Sequence, residues 1–405
     1  IDVTKTYFFQ CGSQGTILHA NFGQKPFKFP PPDGFQPLNL ANTRPETTIV
    51  YPDQFVGVAT FRGNGSSVVV SDYKFKPDLV WIKGYTDADR HGWYDTVRGV
   101  QKRLQTAHNT GEDTQNGVMT FEPNGFSVGD YAETNGNNRS YVGWCWKAGG
   151  NKNTFNVDDV GYASAAAAGL DGGSINPTGA SVGTKEGFSI IKITTPGSDG
   201  AYTVSHGLTK APQFIIYRIY DQAMSWYVWH EGYGSAKSYM LFNANSAVNS
   251  GTYVFNNTLP TASVITDYAG NSNHHNEGRA MMYYSWHDVP GLQKFGTYEG
   301  NGSTDGPFVE LGFKPAVLIL KNMDDAENWY IYDLERSKTN VAYQSLQASS
   351  DGAEETGNTN TRVDILSNGF KLRQTNGPNN SNTYIYMAWA EVPSFNLYGA
   401  QSNAR

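Results

Sequence analysis

One stretch of this 405-residue sequence is written twice and echoed a third time. Phe61-Arg-Gly-Asn-Gly-Ser66 returns as Tyr298-Glu-Gly-Asn-Gly-Ser303. Phe75-Lys-Pro-Asp-Leu-Val-Trp-Ile-Lys83 returns as Phe313-Lys-Pro-Ala-Val-Leu-Ile-Leu-Lys321. A fainter copy reads Leu208-Thr-Lys-Ala-Pro-Gln-Phe-Ile-Ile-Tyr217. Each copy reaches an aromatic cluster and ends on a strand rich in Tyr, Met and Trp. The last two finish alike, on Trp286-His-Asp-Val-Pro290 and Trp389-Ala-Glu-Val-Pro393. Internal repetition means that one structural unit is reused. It predicts an extended array of modules rather than an enzyme built round one pocket.

The residues within each copy select the unit. Leu79–Ile82 is a short apolar run bounded by Pro77 and Gly84, which is the pattern of a buried strand. Several such strands recur with turn signals between them, among them Gly63-Asn-Gly65 and Asn124-Gly125. Charged residues are only 17% of the chain and aromatics 14%, with 25 Tyr and 44 Gly. That balance favours strands and polar turns over helices. The expected fold class is all-β, as tandem antiparallel β-sandwich modules of jelly-roll-like type. A helix of about two turns is expected only over 97–104.

The expected organisation has five parts. Residues 1–50 read as the end of a truncated sandwich and its exit, 51–150 as the first repeat, and 151–180 as a Gly/Ala-rich linker. Residues 181–292 read as a divergent second repeat and 293–405 as the third. The linker carries Ala163-Ser-Ala-Ala-Ala-Ala-Gly169, so few packed contacts are expected of it. The chain begins at Ile1 and enters strand-like sequence at once, which reads as a piece of a longer protein.

Net charge is −7, which disfavours nucleic acid, because phosphate contacts need clustered Lys and Arg. No run of 18 apolar residues offers a membrane-spanning helix, so no membrane insertion is expected. Cys11 and Cys145 fall in different modules and are expected as buried free thiols.

Several motifs invite a chemical reading. Asp95-x-x-Arg98 recurs as Asp333-x-x-Arg336, whereas the second repeat has His230 and Tyr233 at the matching places. A reaction needed in every unit would not survive that exchange. These four residues are therefore expected to form structural salt bridges. The Gly-Asn-Gly turns lack the spacing of phosphate-binding loops. His274-His275-Asn276-Glu277 is the most metal-like string, but neighbours on an extended loop point apart and no second ligand cluster supports it. No metal, no cofactor and no catalytic residue is expected, and no nucleophile elbow is present. Trp81, Trp144, Trp146, Trp286 and Trp389 sit in apolar strands and are expected in the core. Trp93, Trp226, Trp229 and Trp329 lie beside polar residues and are the candidates for stacking on glycans, with His274 and His275 as exposed loop contacts.

Asp95-Thr-Val-Arg-Gly99, Lys102-Arg-Leu104, Asn124-Gly-Phe126 and Tyr141-Val-Gly-Trp-Cys-Trp-Lys-Ala-Gly-Gly150 together resemble an uncharacterised repeated domain of phage virion proteins, cyanophage tail-fibre-like proteins above all. The likeness is good over 54–150, fair over 293–395 and weak over 181–292. Asn21-Phe-Gly-Gln-Lys-Pro-Phe27 with Pro32-Asp-Gly-Phe35 is similar to the exit of a SPRY-type, concanavalin-like sandwich. The resemblance carries no biochemistry. It implies a non-enzymatic bacteriophage structural protein located in the virion, in tail or capsid appendage. The implied partners are other virion proteins, further copies of the chain in a homo-oligomer such as a trimer, and host cell-surface polysaccharide. A decoration protein with a purely structural role is the alternative.

Overall fold

Each apolar strand is buried on both faces, and its alternation decides which core each side chain enters. In the strand Leu79–Gly84, Leu79 and Trp81 join one cluster while Val80 and Ile82 join another. Phe214–Ile219 splits in the same way, with Phe214 and Ile216 opposed to Ile215 and Tyr217. In Phe313–Asn322, Val317 and Ile319 oppose Leu318 and Leu320. A period of two with both faces covered is why these strands read as unbroken apolar runs.

The computed structural model describes residues 49–270, 277–355 and 361–394. Thr47–Arg405 forms one compact unit. Among the described residues the regular secondary structure is nearly all strand, and the sole α-helix is Ala132–Asn135. No helix among them is long and apolar enough to cross a membrane.

Each repeat's larger sheet is built on four antiparallel strands in the same order. In the first, Val56–Arg62 pairs with Ser140–Trp146, which pairs with Leu79–Gly84, which pairs with Gly92–Asp95. In the second the order is Phe188–Thr194, Ala280–Trp286, Phe214–Ile219, Tyr227–His230. In the third it is Gln293–Glu299, Thr383–Pro393, Phe313–Asn322, Tyr330–Asp333. The registers agree as well: Leu79, Phe214 and Val317 lie opposite Trp146, Trp286 and Trp389. A smaller sheet covers the outer face of each, completing a two-layer sandwich.

The inner faces of all three sandwiches meet in one apolar core. Trp81, Trp93, Trp144 and Trp146 of the first repeat pack there with Phe214, Trp226 and Trp286 of the second and Ile319, Trp329 and Trp389 of the third. Trp389 stands edge-on to both Trp146 (centroids 5.3 Å apart) and Trp286 (6.1 Å). The sandwich class expected from the sequence is present, but the extended array is not: the repeats close on one another instead of lining up. The physical reason is that each inner sheet carries an aromatic face that its own outer sheet cannot cover.

Two local expectations also fail. Residues 151–180 are not a bare linker. Phe155–Val157 and Val160–Tyr162 extend the second repeat's sheet, and Phe155, Ala165 and Leu170 are buried in its core. Residues 97–104 make a turn and the strand Lys102–Arg103 rather than a helix. Gly99 and Gln101 take φ of +99° and +62°, which an α-helix does not admit.

Candidate functional site

The shared register places equivalent residues at the joints between repeats. Lys83, Arg218 and Lys321 follow the apolar run of each central strand, and all three are fully buried. Each sends its cation into a loop of another repeat. Lys83 Nζ donates to the Asp351 carbonyl (3.0 Å), Arg218 Nη2 to the Thr110 carbonyl (2.7 Å), and Lys321 Nζ to the Asn245 carbonyl (3.3 Å). Burial lowers the pKa of Lys83 and of Lys321 to about 8, and Asp89 and Glu327 respectively oppose the fall.

A second ring of donors runs in the same sense. His91, Trp226 and Trp329 occupy equivalent places at or just before the fourth strand. The Trp226 indole donates to the Gln105 carbonyl (2.7 Å) and that of Trp329 to the Leu241 carbonyl (3.0 Å). His91 accepts from the Trp81 indole at Nδ1 (2.9 Å), which leaves Nε2 protonated toward the Gln347 and Ser350 carbonyls at 3.2 and 3.1 Å. Backbone bonds repeat the pattern: Glu354 N to Tyr85 O, Glu112 N to Tyr220 O, and Val248 N to Met323 O, at 2.9, 2.7 and 2.9 Å. The first repeat thus grips the third, the second grips the first, and the third grips the second. The contacts close into a ring.

This geometry corrects the aromatic candidates. Trp93, Trp226, Trp229 and Trp329 are at most 3% exposed, so none presents a face to a glycan. Trp229 packs in the second sandwich and donates to the Ser235 carbonyl, while the other three lie in the shared core. Their polar sequence neighbours belong to loops that another repeat covers. His274 and His275 lie outside the described residues, as does Cys11. Cys145 is a buried free thiol whose pKa burial raises.

The Asp–Arg pairs are salt bridges inside the protein. Arg98 Nε reaches Asp95 at 2.6 Å and Nη1 reaches Glu112 at 3.0 Å, with the guanidinium 1% exposed. Arg336 repeats this with Asp333 and Glu354, both at 2.7 Å. Backbone N–H groups of Val97 and Arg98 cap Asp95, and that of Arg336 caps Asp333. Every charge has a partner and all but the part-exposed Glu112 are buried, so the clusters hold a turn. Among the described residues no group of three His, Cys, Asp or Glu is placed to hold a metal ion.

One open, polar feature remains at the joint where the third repeat meets the second. A cleft of about 460 Å³ is lined by Asn245 of the second repeat and by Glu327, Asn328, Tyr330, Gln347 and Asn380 of the third, with Glu355 and Asn376 beside them. Asn380 Nδ2 donates to Glu327 Oε1 (2.6 Å) and Gln347 Nε2 to Glu355 Oε1 (2.9 Å). Burial raises the pKa of Glu327, with Lys321 opposing. The equivalent of Glu327 in the first repeat is Asp89, which Arg139 neutralises at 2.5 Å. The place of Arg139 is taken in the third repeat by Asn382, which bonds Asp325 instead. Sequence reasoning missed both the ring and the cleft. One signal was visible: a cation ends the apolar run in every copy.

No curated protein and no solved structure matches the chain. Residues 51–393, which span all three sandwiches, match a domain of unknown function, DUF7483, and the chain belongs to that family.

Proposed function

We propose that this chain is a non-enzymatic bacteriophage structural protein of tail-fibre or tail-spike type, whose partners are other virion proteins and host surface glycans. The resemblance of the repeats to phage virion domains supports the reading. The observation that carries it is the closed ring of buried inter-repeat donors, which suits a rigid block that must keep its shape in a particle. Copies of the chain would join through surfaces outside the ring, as a trimer in the tail-fibre reading.

A head or tail decoration protein is the second reading. It is favoured by the burial of Trp93, Trp226, Trp229 and Trp329, which removes the aromatic stacking surface. Gold-labelled antibody against the chain, applied to intact virions, separates the two. Label at the distal tail supports host contact, and label on the capsid supports decoration. Particles that carry no label overturn both.

A further inference from the structure

We infer that the strand Val68–Val70, at the open edge of the first sandwich, pairs antiparallel with the same strand of a second copy of this chain. The contact goes beyond the function proposed above and does not rest on it, since a two-fold pair can form inside or outside a particle.

The outer sheets of the three sandwiches have equivalent edge strands, Val68–Val70, Gly200–Ser205 and Phe308–Glu310. Val70, Val204 and Val309 are buried in their own sandwiches, and the residues before them, Val69, Thr203 and Phe308, turn outward. The open side of such a strand is a template for another strand.

Two of these edges are protected, each in its own way. In the second sandwich the chain covers the edge itself. Ile175 N donates to the Thr203 carbonyl (3.2 Å), the Thr203 N–H donates to Ser174 Oγ (2.8 Å), and Ile175 bridges Val204 in parallel register. In the third, Pro307 offers no N–H and the Lys294 ammonium donates to the Glu310 carbonyl at 2.8 Å. The first sandwich has neither device. Val68 stands at the place of Pro307, and Gly57 at that of Lys294. Among the described residues no strand lies beyond Val68–Val70, and Val69 is 60% exposed. The Asn64 and Asn124 amides take the Ser67 and Ser71 carbonyls at 2.8 and 3.0 Å, so the opening is centred on Val69. Thr203 turns its main chain to the covering segment, and the shared register turns that of Val69 to the open side.

The edge itself selects the occupant. No charged residue lies between Gly63 and Ser71. Turned about a two-fold axis through Val69, the strand sets Val69 opposite Val69, Val68 opposite Val70 and Ser67 opposite Ser71. Asp72 then meets Ser66 rather than another acid. The two Val69 residues exchange both main-chain bonds, and their exposed side chains pack side by side. An isologous contact of this kind closes at two copies. The contact is short, so the dimer is a weak one.

The test is sedimentation velocity of the full chain at concentrations up to about 0.5 mM, with oxidative cross-linking of Val69→Cys beside it. The wild type is expected to pass reversibly from monomer to dimer as concentration rises. Val69→Lys sets two ammonium groups opposite each other and is expected to weaken dimerisation by roughly tenfold or more. Phe308→Lys, at the protected edge of the third sandwich, is expected to leave it unchanged. Val69→Cys is expected to give a disulfide joining position 69 of both copies, because such paired residues have Cα atoms about 5.5 Å apart. Each variant is melted beside the wild type. If one fails to fold, amide exchange of the wild type decides, with the Val69 amide expected to slow as concentration rises. A monomer at every concentration overturns the proposal, and so does a trimer. Dimerisation untouched by Val69→Lys, or lost equally with Phe308→Lys, overturns it too. None of these outcomes depends on where the chain sits in a particle, so failure here leaves the virion reading standing.

Discussion

Trp144 of the first repeat donates its indole N–H to the Asp333 carboxylate of the third at 3.0 Å, in a fully buried setting. Tyr284 of the second repeat makes the equivalent bond to Asp95 of the first at 2.8 Å. By register, the residues at the remaining joint are Met387 and His230. Donor and carboxylate are both gone there. The exchange of Asp for His in the second repeat thus goes with the loss of the donor in its neighbour, as a packing role requires.

Removing one side of this pairing leaves a buried carboxylate short of a donor. Trp144→Phe is expected to cost about 1.5–3 kcal/mol in denaturant unfolding, since hydrogen bonds to charged groups are worth that much. Arg336→Met, which strands Asp333 and Glu354 together, is expected to cost about 3–5 kcal/mol. A loss below about 0.5 kcal/mol in either would mean that the cluster does not hold the joint.

All nine tryptophans are at most 3% exposed. The native protein should therefore emit with a blue-shifted maximum and resist acrylamide quenching. Unfolding should shift the emission red and restore quenching. Quenching of a third of the native emission would show that some of Trp93, Trp226, Trp229 and Trp329 do face solvent.

A single repeat exposes its inner face when cut from the ring. For residues 293–394 this uncovers Ile319, Trp329, Ile331 and Trp389. An exposed apolar patch of this kind drives association. The isolated segment should self-associate or aggregate in analytical ultracentrifugation, whereas the whole ring should not depend on such contacts. A stable, folded monomer of the segment would contradict the shared core.

Burial lowers the pKa of His206 to about 4 and of His230 to about 3. The unfolded chain takes up protons at these sites first, near the ordinary value of 6.5. Their contribution to stability is therefore full above about pH 6.5 and is lost as pH falls toward 3–4. Burial raises Glu186 to about 7 and Asp288 to about 6, and these act in the opposite sense. NMR of the imidazoles isolates the first effect: His206 and His230 should stay neutral at pH 5. Titration of either near 6.5 would contradict their burial.

The sequence revealed what lies within a repeat. Alternation in Leu79–Ile82 and its copies, with turn residues at the ends, was enough for the sandwich class. The Asp–Arg spacing was enough for local salt bridges. What it hid lies between repeats. Trp226 stands beside Ser225 and looks exposed, but the Gln105 loop of another sandwich covers it. Leu170 and Phe155 are single apolar residues in a Gly/Ala-rich stretch, and only the finished sheet shows that they are core. The polar cleft draws on residues from 245 to 380, a span over which no local pattern operates.

Because the three sandwiches share one core, they stand or fall together. Differential scanning calorimetry of the full chain, wild type beside Trp389→Ala, tests it most directly. Trp389 touches Trp146 and Trp286 of the other repeats, and truncating a buried Trp costs about 3–5 kcal/mol. The expected result is that the whole heat-absorption peak of the ring moves to lower temperature as one transition. If only about a third of the enthalpy moved, while the rest melted at the wild-type temperature, the repeats would be independent modules and the account would be wrong.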